Sequence, residues 1–230
     1  MTLPIILALD TKDIQQAKSW IKASSNLIDH FKVGLEFYLK HGSNGIKELQ
    51  KDSDFKLFLD LKLYDIPNTV KGAVESVADL SPKFLTVHAS GGSKMISAAA
   101  KALPKGSITA VTVLTSFSEE DFSLMGQKLN INETTKNWAS NALSAGATSL
   151  VCSAFEVGQL RKLSNSAVLI TPGVRVEGDD AGDQARVMTP RDALAEGANF
   201  VVIGRSITSM WDGTETNMRK KIEQIASSLG

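Results

Sequence analysis

Residues 57–69 read LFLDLKLYDIPNT, a short apolar run that leads into charged and turn-forming residues. The pattern predicts a buried strand over the first half of this stretch. Side chains alternate across a strand, so Asp60 and Lys62 are expected to share one face. Asp65 follows just past the strand end, where Pro67 prevents further extension. The stretch therefore predicts two carboxylates and an ammonium group at the end of a buried strand. Taken alone, such a trio also suits a structural salt-bridge network.

Seven further apolar runs resemble this one, and each is followed by a segment with helical spacing of its apolar residues. The predicted strands cover residues 5–9, 30–34, 84–88, 108–114, 150–152, 167–171 and 200–203. The predicted helices cover 13–23, 35–49 with a break at Gly42, 67–80, 93–103, a start at 118–121, a segment centred on 138–145, 156–163, 189–197 and 218–229. Continuous apolar strands indicate burial on both faces, as in a parallel sheet covered by helices.

Eight such units in 230 residues predict an α/β fold, a (β/α)₈ TIM barrel formed by a single domain over residues 1–230. A doubly wound open sheet is the alternative, but no G-x-G-x-x-G motif follows the first strand. The sequence shows no linker and no low-complexity tract.

Composition excludes several classes of function. The 25 basic and 25 acidic residues give a formal net charge of zero, which indicates neither a nucleic-acid nor a membrane surface. No apolar run approaches the roughly 20 residues that a membrane helix needs, and no signal-peptide pattern is present. The single cysteine, Cys152, lies in an apolar segment and is expected to be a buried, inert thiol. The three histidines have no metal-ligand spacing, so we expect no metal site. Together, the composition and the lack of a signal-peptide pattern lead us to expect a cytoplasmic protein.

Ionisable and polar residues recur where the predicted strands end, and in TIM barrels this end carries the chemistry. In chain order they are Asp10, Lys32, Asp60 with Lys62 and Asp65, His88, Thr115, Ser153, Arg175 and Arg205. A barrel closed only for stability has no reason to gather charges at one end, because each buried ion carries a desolvation cost. The ring therefore indicates a functional site. His88 is expected to have a structural role, and Ser153 has no assigned role.

Two segments suggest a phosphate site. Gly204 and Arg205 follow the eighth strand, where a glycine lets backbone N–H groups approach an anion and an arginine adds a bidentate donor. The polar loop 176–187 carries Gln184, which could reach the same phosphate if the loop closes as a lid. The plainer alternatives are a glycine turn with a solvated arginine and an ordinary exposed loop.

The whole chain resembles the bacterial type of orotidine 5′-phosphate decarboxylase. The most specific match is D-x-K-x-x-D-I-P-N-T over residues 60–69. The weaker matches, all in the family's order, are LALD ending at Asp10, FKVG with Lys32, TVH ending at His88, VLTS with Thr115, TPGVR ending at Arg175, GDQ ending at Gln184, and VIGR ending at Arg205.

The resemblance implies decarboxylation of orotidine 5′-monophosphate to UMP in de novo pyrimidine biosynthesis, with neither cofactor nor metal. Lys62 would donate a proton to C6 of the pyrimidine and stabilise the carbanion, while Asp60, Asp65 and Lys32 hold it in place. Flanking carboxylates favour the charged form of a buried lysine. Without a cofactor to accept the electron pair, a fixed positive charge in a dry site is the remaining means of stabilising it.

The resemblance also implies the residues that bind the nucleotide. They are Asp10 and Lys32 at the ribose, Asp60 at the carboxylate, Thr115 at the pyrimidine amide edge, and Gln184, Gly204 and Arg205 at the phosphate with Arg175 nearby; Ile66 and Thr69 complete the set. In the family, Asp65 and Thr69 reach into the partner subunit's site, so the resemblance implies an obligate homodimer with shared active sites.

Two alternatives remain open on the sequence. Metal-dependent relatives, such as 3-keto-gulonate 6-phosphate decarboxylase and hexulose phosphate synthase, share the barrel and the D-x-K-x-x-D pattern. They need an acidic Mg²⁺ ligand at the end of the second strand, where this chain has Lys32. A catalytically silent nucleotide-binding barrel is the second alternative, although all four charged residues of the proposed tetrad are present.

Overall fold

The computed structural model describes residues 2–176 and 188–229. Eight parallel strands close into a barrel in chain order, with β1 paired to both β2 and β8. They are β1 (Ile5–Ala8), β2 (His30–Gly34), β3 (Lys56–Leu63), β4 (Phe84–His88), β5 (Ser107–Val111), β6 (Ser149–Val151), β7 (Val168–Thr171) and β8 (Phe200–Ile203). The predicted TIM barrel is confirmed, and the open-sheet alternative is wrong because the edge strands pair.

Helices follow the strands around the outside of the barrel. They are α1 (Ile14–Ser24), α2 (Leu35–Gln50), α3 (Pro67–Val77), α4 (Gly92–Ala102), α5 (Glu119–Leu124), α6 (Ile131–Ser144), α7 (Val157–Leu163), α8 (Pro190–Ala195), α9 (Arg205–Thr208) and α10 (Glu215–Ser228). The break expected at Gly42 is present, because this glycine has a φ of 58° inside α2. Among the described residues, no helix has both the length and the apolar character needed to cross a membrane.

Two apolar clusters hold these elements together. A large cluster fills the space between the strands and the surrounding helices. A smaller one fills the barrel interior and consists of Ile6, Phe58, Phe84 and Ile170, with Phe200 packed against it. Filling the interior with side chains makes the barrel a solid core, so a ligand can enter only at its ends.

The third strand differs from the sequence expectation. It continues to Leu63 rather than ending near Leu61. Its pairing with β4 also changes register, because Leu59 pairs with Leu85 but Leu63 pairs with Val87. Three residues of β3 therefore lie opposite one residue of β4, which is a β-bulge. The bulge lies at Asp60 and Lys62, where the sequence concentrates its charges.

Candidate active site

A cavity of about 190 Å³ opens at the carboxyl end of the barrel, and we call it the mouth cavity. Its charged lining consists of Lys32, Asp60 and Lys62. Most of the remaining wall is apolar and includes Phe58, Val111, Val113, Val151, Pro172 and Val202. Ion pairs beside an apolar wall interact more strongly than in water, because the surroundings screen them less.

Asp60 and Lys62 form the central ion pair. The Lys62 ammonium donates to both carboxylate oxygens of Asp60, at 2.8 and 2.9 Å. The side chain of Asp60 is 12% exposed and that of Lys62 is 32% exposed, and both line the cavity. Asp60 thus holds the ammonium group at a fixed point on the cavity wall.

Lys32 extends this pair into a chain of charges. Its ammonium nitrogen lies 3.7 Å from Asp60 Oδ2 and donates to Asp10 Oδ1 at 3.0 Å. Burial opposes ionisation of Asp60, but Lys32 and Lys62 outweigh it and hold the pKa of this carboxyl below its usual value. The mouth cavity therefore presents an ionised carboxylate between two ammonium groups.

The backbone of Lys62 is strained. Its φ is 48°, in the left-handed region that a non-glycine residue rarely adopts and that costs about 1 kcal/mol or more. Its backbone N–H donates to the hydroxyl of Thr86 at 2.8 Å, and the same hydroxyl donates to Asp60 Oδ1 at 3.0 Å. The bulge thus orients the Lys62 side chain, and Thr86 of β4 stabilises the bulge through these two hydrogen bonds.

The residues predicted to bind phosphate lie at the same end of the barrel. Gly204 precedes α9, and a Cβ added there would lie 3.3 Å from the Ala8 Cβ. The backbone segments of β1 and of the start of α9 therefore approach closely at this point. Arg205 is exposed, and Arg175 donates to the carbonyl of Val174 at 3.1 Å. Gln184 lies outside the described residues.

Three predicted residues lie away from the mouth cavity of their own chain. Asp65, Ile66 and Thr69 are exposed in the segment from the β3 end into α3. Asp65 accepts from the Ile66 N–H at 2.6 Å and forms no ion pair with Lys62. Within its own chain Asp65 is therefore not part of the charged cluster of Asp60, Lys62 and Lys32, and its role at the site stays a prediction.

Thr115 and His88 also border the mouth. Thr115 is exposed and lines both the mouth cavity and a neighbouring cavity of about 360 Å³, which we call the side cavity. His88 is half-buried, with its ring centroid 5.7 Å from that of Tyr64. Burial, aided by the charge of Lys62, lowers the pKa of His88 and disfavours a cationic ring. This environment agrees with a structural role.

Sequence reasoning assigned no role to Thr86 or Glu156. Glu156 lies buried in the wall of the side cavity, where its carboxylate accepts from the Ser153 N–H at 3.0 Å and from the Thr135 hydroxyl at 3.4 Å. Burial raises the pKa of Glu156 to about 7. The Ser153–Glu156 spacing is that of a capping box, a signal that could have been read from the sequence.

Cys152 is buried, and burial raises the pKa of its thiol, which fits the expected inert role.

The donor groups at the mouth do not suit a divalent cation. In the described ranges, no group of three or more histidine, cysteine, aspartate or glutamate side chains could hold a metal ion. Lys32 lies in the middle of β2, and its ammonium nitrogen is 3.0 Å from Asp10 Oδ1 and 3.7 Å from Asp60 Oδ2. A cation placed between Asp10 and Asp60 would have to displace it.

Comparisons with known proteins place the chain in a family. Residues 3–217 match the model of the orotidine 5′-phosphate decarboxylase / HUMPS family. The chain is 47% identical to an orotidine 5′-phosphate decarboxylase of Thermobifida fusca over 209 residues, which cover 90% of each protein. It is 43% identical to one of Psychromonas ingrahamii, over 98% of this chain and 96% of that protein. A crystal structure of the Lactobacillus acidophilus enzyme of that name superposes with a TM-score of 0.82 at 32% identity, covering 99% of both chains. The chain belongs to the orotidine 5′-phosphate decarboxylase / HUMPS family.

Proposed function

We propose that this chain is a carboxy-lyase that converts orotidine 5′-monophosphate to UMP in pyrimidine biosynthesis, in the cytoplasm and without a metal or cofactor. The observation that carries the proposal is the Lys62 ammonium, held 2.8 and 2.9 Å from the Asp60 oxygens at the wall of the mouth cavity. The relatives that share up to 47% identity with the chain carry the name of this activity.

The shape of the site supports a nucleotide with its base inside. The mouth cavity of about 190 Å³ is smaller than the roughly 300 Å³ of typical small-molecule pockets, so it suits one ring rather than a whole nucleotide. The ribose would then lie over Asp10 and Lys32, whose Oδ1 and Nζ atoms are 3.0 Å apart. The phosphate would lie near Gly204 and Arg205, whose exposed guanidinium forms no hydrogen bond or ion pair with any described residue.

The charges at the mouth suit the chemistry of decarboxylation. Loss of CO₂ leaves an electron pair on C6, and a preorganised cation opposite that carbon stabilises the transition state without rearranging. Lys62 would supply this charge and then its proton. Asp60 would lie beside the departing carboxylate, where like charges disfavour the bound substrate more than the transition state. Because the phosphate is remote from C6, its binding energy can hold the base in position.

A metal-dependent sugar-phosphate activity is not favoured. Such an enzyme needs an acidic ligand at the position in β2 where this chain has Lys32, whose ammonium lies between two carboxylates. The test is to follow the absorbance of orotidine 5′-monophosphate with purified protein in the presence of EDTA. We expect full turnover. No turnover, or an activity that appears only with Mg²⁺ and a sugar phosphate, would contradict the proposal.

We also propose a homodimer in which each site is completed by the partner. Asp65, Ile66 and Thr69 are exposed and lie outside the mouth cavity of their own chain. Large apolar side chains in the same segment are exposed, with Ile66 at 67% and Tyr64 at 62% exposure. Burial of these side chains against a partner subunit would remove apolar surface from water.

Subunit exchange tests this arrangement. Lys62→Ala and Asp65→Asn are both expected to be inactive alone, because each damages every site of its own dimer. Mixed under conditions of exchange, they should regain activity, because one site of each hybrid dimer then has both residues intact. Mass spectrometry of the mixture establishes that exchange took place. Exchange without recovered activity would show that each subunit is self-sufficient.

A further inference from the structure

The hydroxyl of Thr86 lies at the centre of the charged cluster yet has no assigned role. It accepts from the Lys62 backbone N–H at 2.8 Å and donates to Asp60 Oδ1 at 3.0 Å. The residue is fully buried, so neither bond can be replaced by water without rearrangement. A single hydroxyl therefore joins the backbone of the lysine to the carboxylate that holds the ammonium of the same lysine.

The geometry of the sheet explains why this position needs a hydroxyl. Leu59 and Leu63 pair with Leu85 and Val87, so Thr86 lies alone opposite Asp60, Leu61 and Lys62. The backbone N–H and C=O groups of one residue cannot form hydrogen bonds with those of three residues. The bulge therefore leaves some backbone groups of β3 without a partner in β4. The Thr86 hydroxyl supplies the acceptor that the Lys62 N–H lacks. It also stabilises a lysine whose φ of 48° is unfavourable.

We infer that Thr86 is a positioning residue, whose hydroxyl holds the bulged Lys62 backbone and the Asp60 carboxylate in the arrangement that the reaction requires. The inference rests on the proposed decarboxylation. Thr86 does not line the mouth cavity, so it acts through its two partners. The Thr86 hydroxyl accepts a hydrogen bond from the Lys62 N–H and donates its proton to Asp60. The first hydrogen bond polarises the hydroxyl and so strengthens the second.

The test compares two substitutions at this position. Thr86→Val keeps the shape and removes the hydroxyl, whereas Thr86→Ser keeps the hydroxyl. For Thr86→Val we expect kcat to fall about 100-fold, the size of effect that follows from a small misplacement of a catalytic group. KM should change little, because the proposed ribose and phosphate contacts lie at Asp10, Lys32 and Arg205. Thr86→Ser should restore kcat close to that of the wild-type protein.

Thr109→Val is the matched control. Thr109 is fully buried on the neighbouring strand, directly opposite Thr86 in the β4–β5 register, and its hydroxyl bonds to Ser149 at 2.6 Å. It forms no hydrogen bond with Asp60 or Lys62, so its loss should lower thermal stability without lowering kcat. If Thr86→Val does not fold, Thr86→Ala removes the same hydroxyl without added strain and must show the same loss of kcat.

A titration gives a readout that does not depend on turnover. The hydrogen bond from Thr86 is one of the contacts that hold the pKa of Asp60 low. The ¹³C shift of the Asp60 carboxyl should therefore titrate at higher pH in Thr86→Val than in the wild-type protein. A folded Thr86→Val or Thr86→Ala with wild-type kcat and an unchanged Asp60 titration would overturn the inference. A wild-type protein without activity would instead contradict the proposed function, and the titration would still test the role of Thr86.

Discussion

The two ends of the barrel each pair a carboxylate with basic side chains, but one end is filled and the other is open. At the amino end, Asp29 contacts the His30 ring at 2.6 Å and accepts from Lys56 at 2.8 Å. The His30 ring packs against Phe200 at a centroid distance of 4.5 Å, which fills the barrel. At the carboxyl end, Asp60 and its lysines face an open cavity. The same strands therefore carry a filled end and an open one.

The direction in which each group titrates shows what this difference means. Burial lowers the pKa of His30 in spite of the neighbouring Asp29, so the ring is favoured neutral and contributes as a packed aromatic group. At the mouth, Lys32 and Lys62 overcome the burial of Asp60 and keep it ionised. The amino end thus keeps its histidine neutral in a packed setting, and the carboxyl end maintains its charges beside an open cavity, as expected for a TIM barrel.

Replacing the central carboxylate should have the largest effect. Asp60→Asn leaves Lys32 and Lys62 without the anion between them, so we expect kcat/KM to fall about a thousandfold, as when a preorganised charge is lost. We also expect the free energy of unfolding to drop by about 3 kcal/mol, because one partner of a buried ion pair has been removed. Steady-state kinetics and urea unfolding measure the two effects. A variant with near wild-type activity would show that the charge at the mouth is structural only.

Glu156 contrasts with Asp60, because it is a buried carboxyl that forms no ion pair with the described residues. Burial raises its pKa to about 7, so the folded protein retains a proton that the unfolded chain has lost. Stability should therefore fall as pH rises from about 4.5 to 7, by up to about 3 kcal/mol from this group. Glu156→Gln keeps an acceptor for Ser153 and should remove this part of the pH dependence. Urea unfolding at pH 5 and pH 8 measures it, and an unchanged pH dependence would contradict the assignment.

His30→Leu should have the smallest effect and should leave activity intact. The substitution removes the bond to Asp29 but keeps an apolar side chain against Phe200, so we expect a loss of about 1–2 kcal/mol. Because the pKa of His30 lies below its unfolded value, the unfolded chain takes up the proton first. The wild-type protein should lose stability as pH falls below about 6.5, and the variant should lose less. Thermal melting as a function of pH measures both the loss of stability and its pH dependence. A reduced kcat in His30→Leu would show that the two ends of the barrel are coupled.

The fold could be predicted from the sequence because each strand is a continuous apolar run followed by a helical pattern. His30–Gly34, Phe84–His88 and Phe200–Ile203 have the predicted bounds. The bulge in β3 could not be predicted, because it depends on the register between two strands and not on either sequence alone. For the same reason the hydroxyl of Thr86 could not be distinguished from that of any other strand threonine.

We propose that the fixed Lys62 ammonium at the mouth performs the task for which other decarboxylases use a cofactor. The most direct measurement is kcat/KM for orotidine 5′-monophosphate with wild-type and Lys62→Ala proteins in metal-free buffer, with UMP affinity measured beside it. We predict that Lys62→Ala loses at least about a thousandfold in kcat/KM while it still binds UMP. A Lys62→Ala protein that decarboxylates within about tenfold of the wild-type rate would contradict the account.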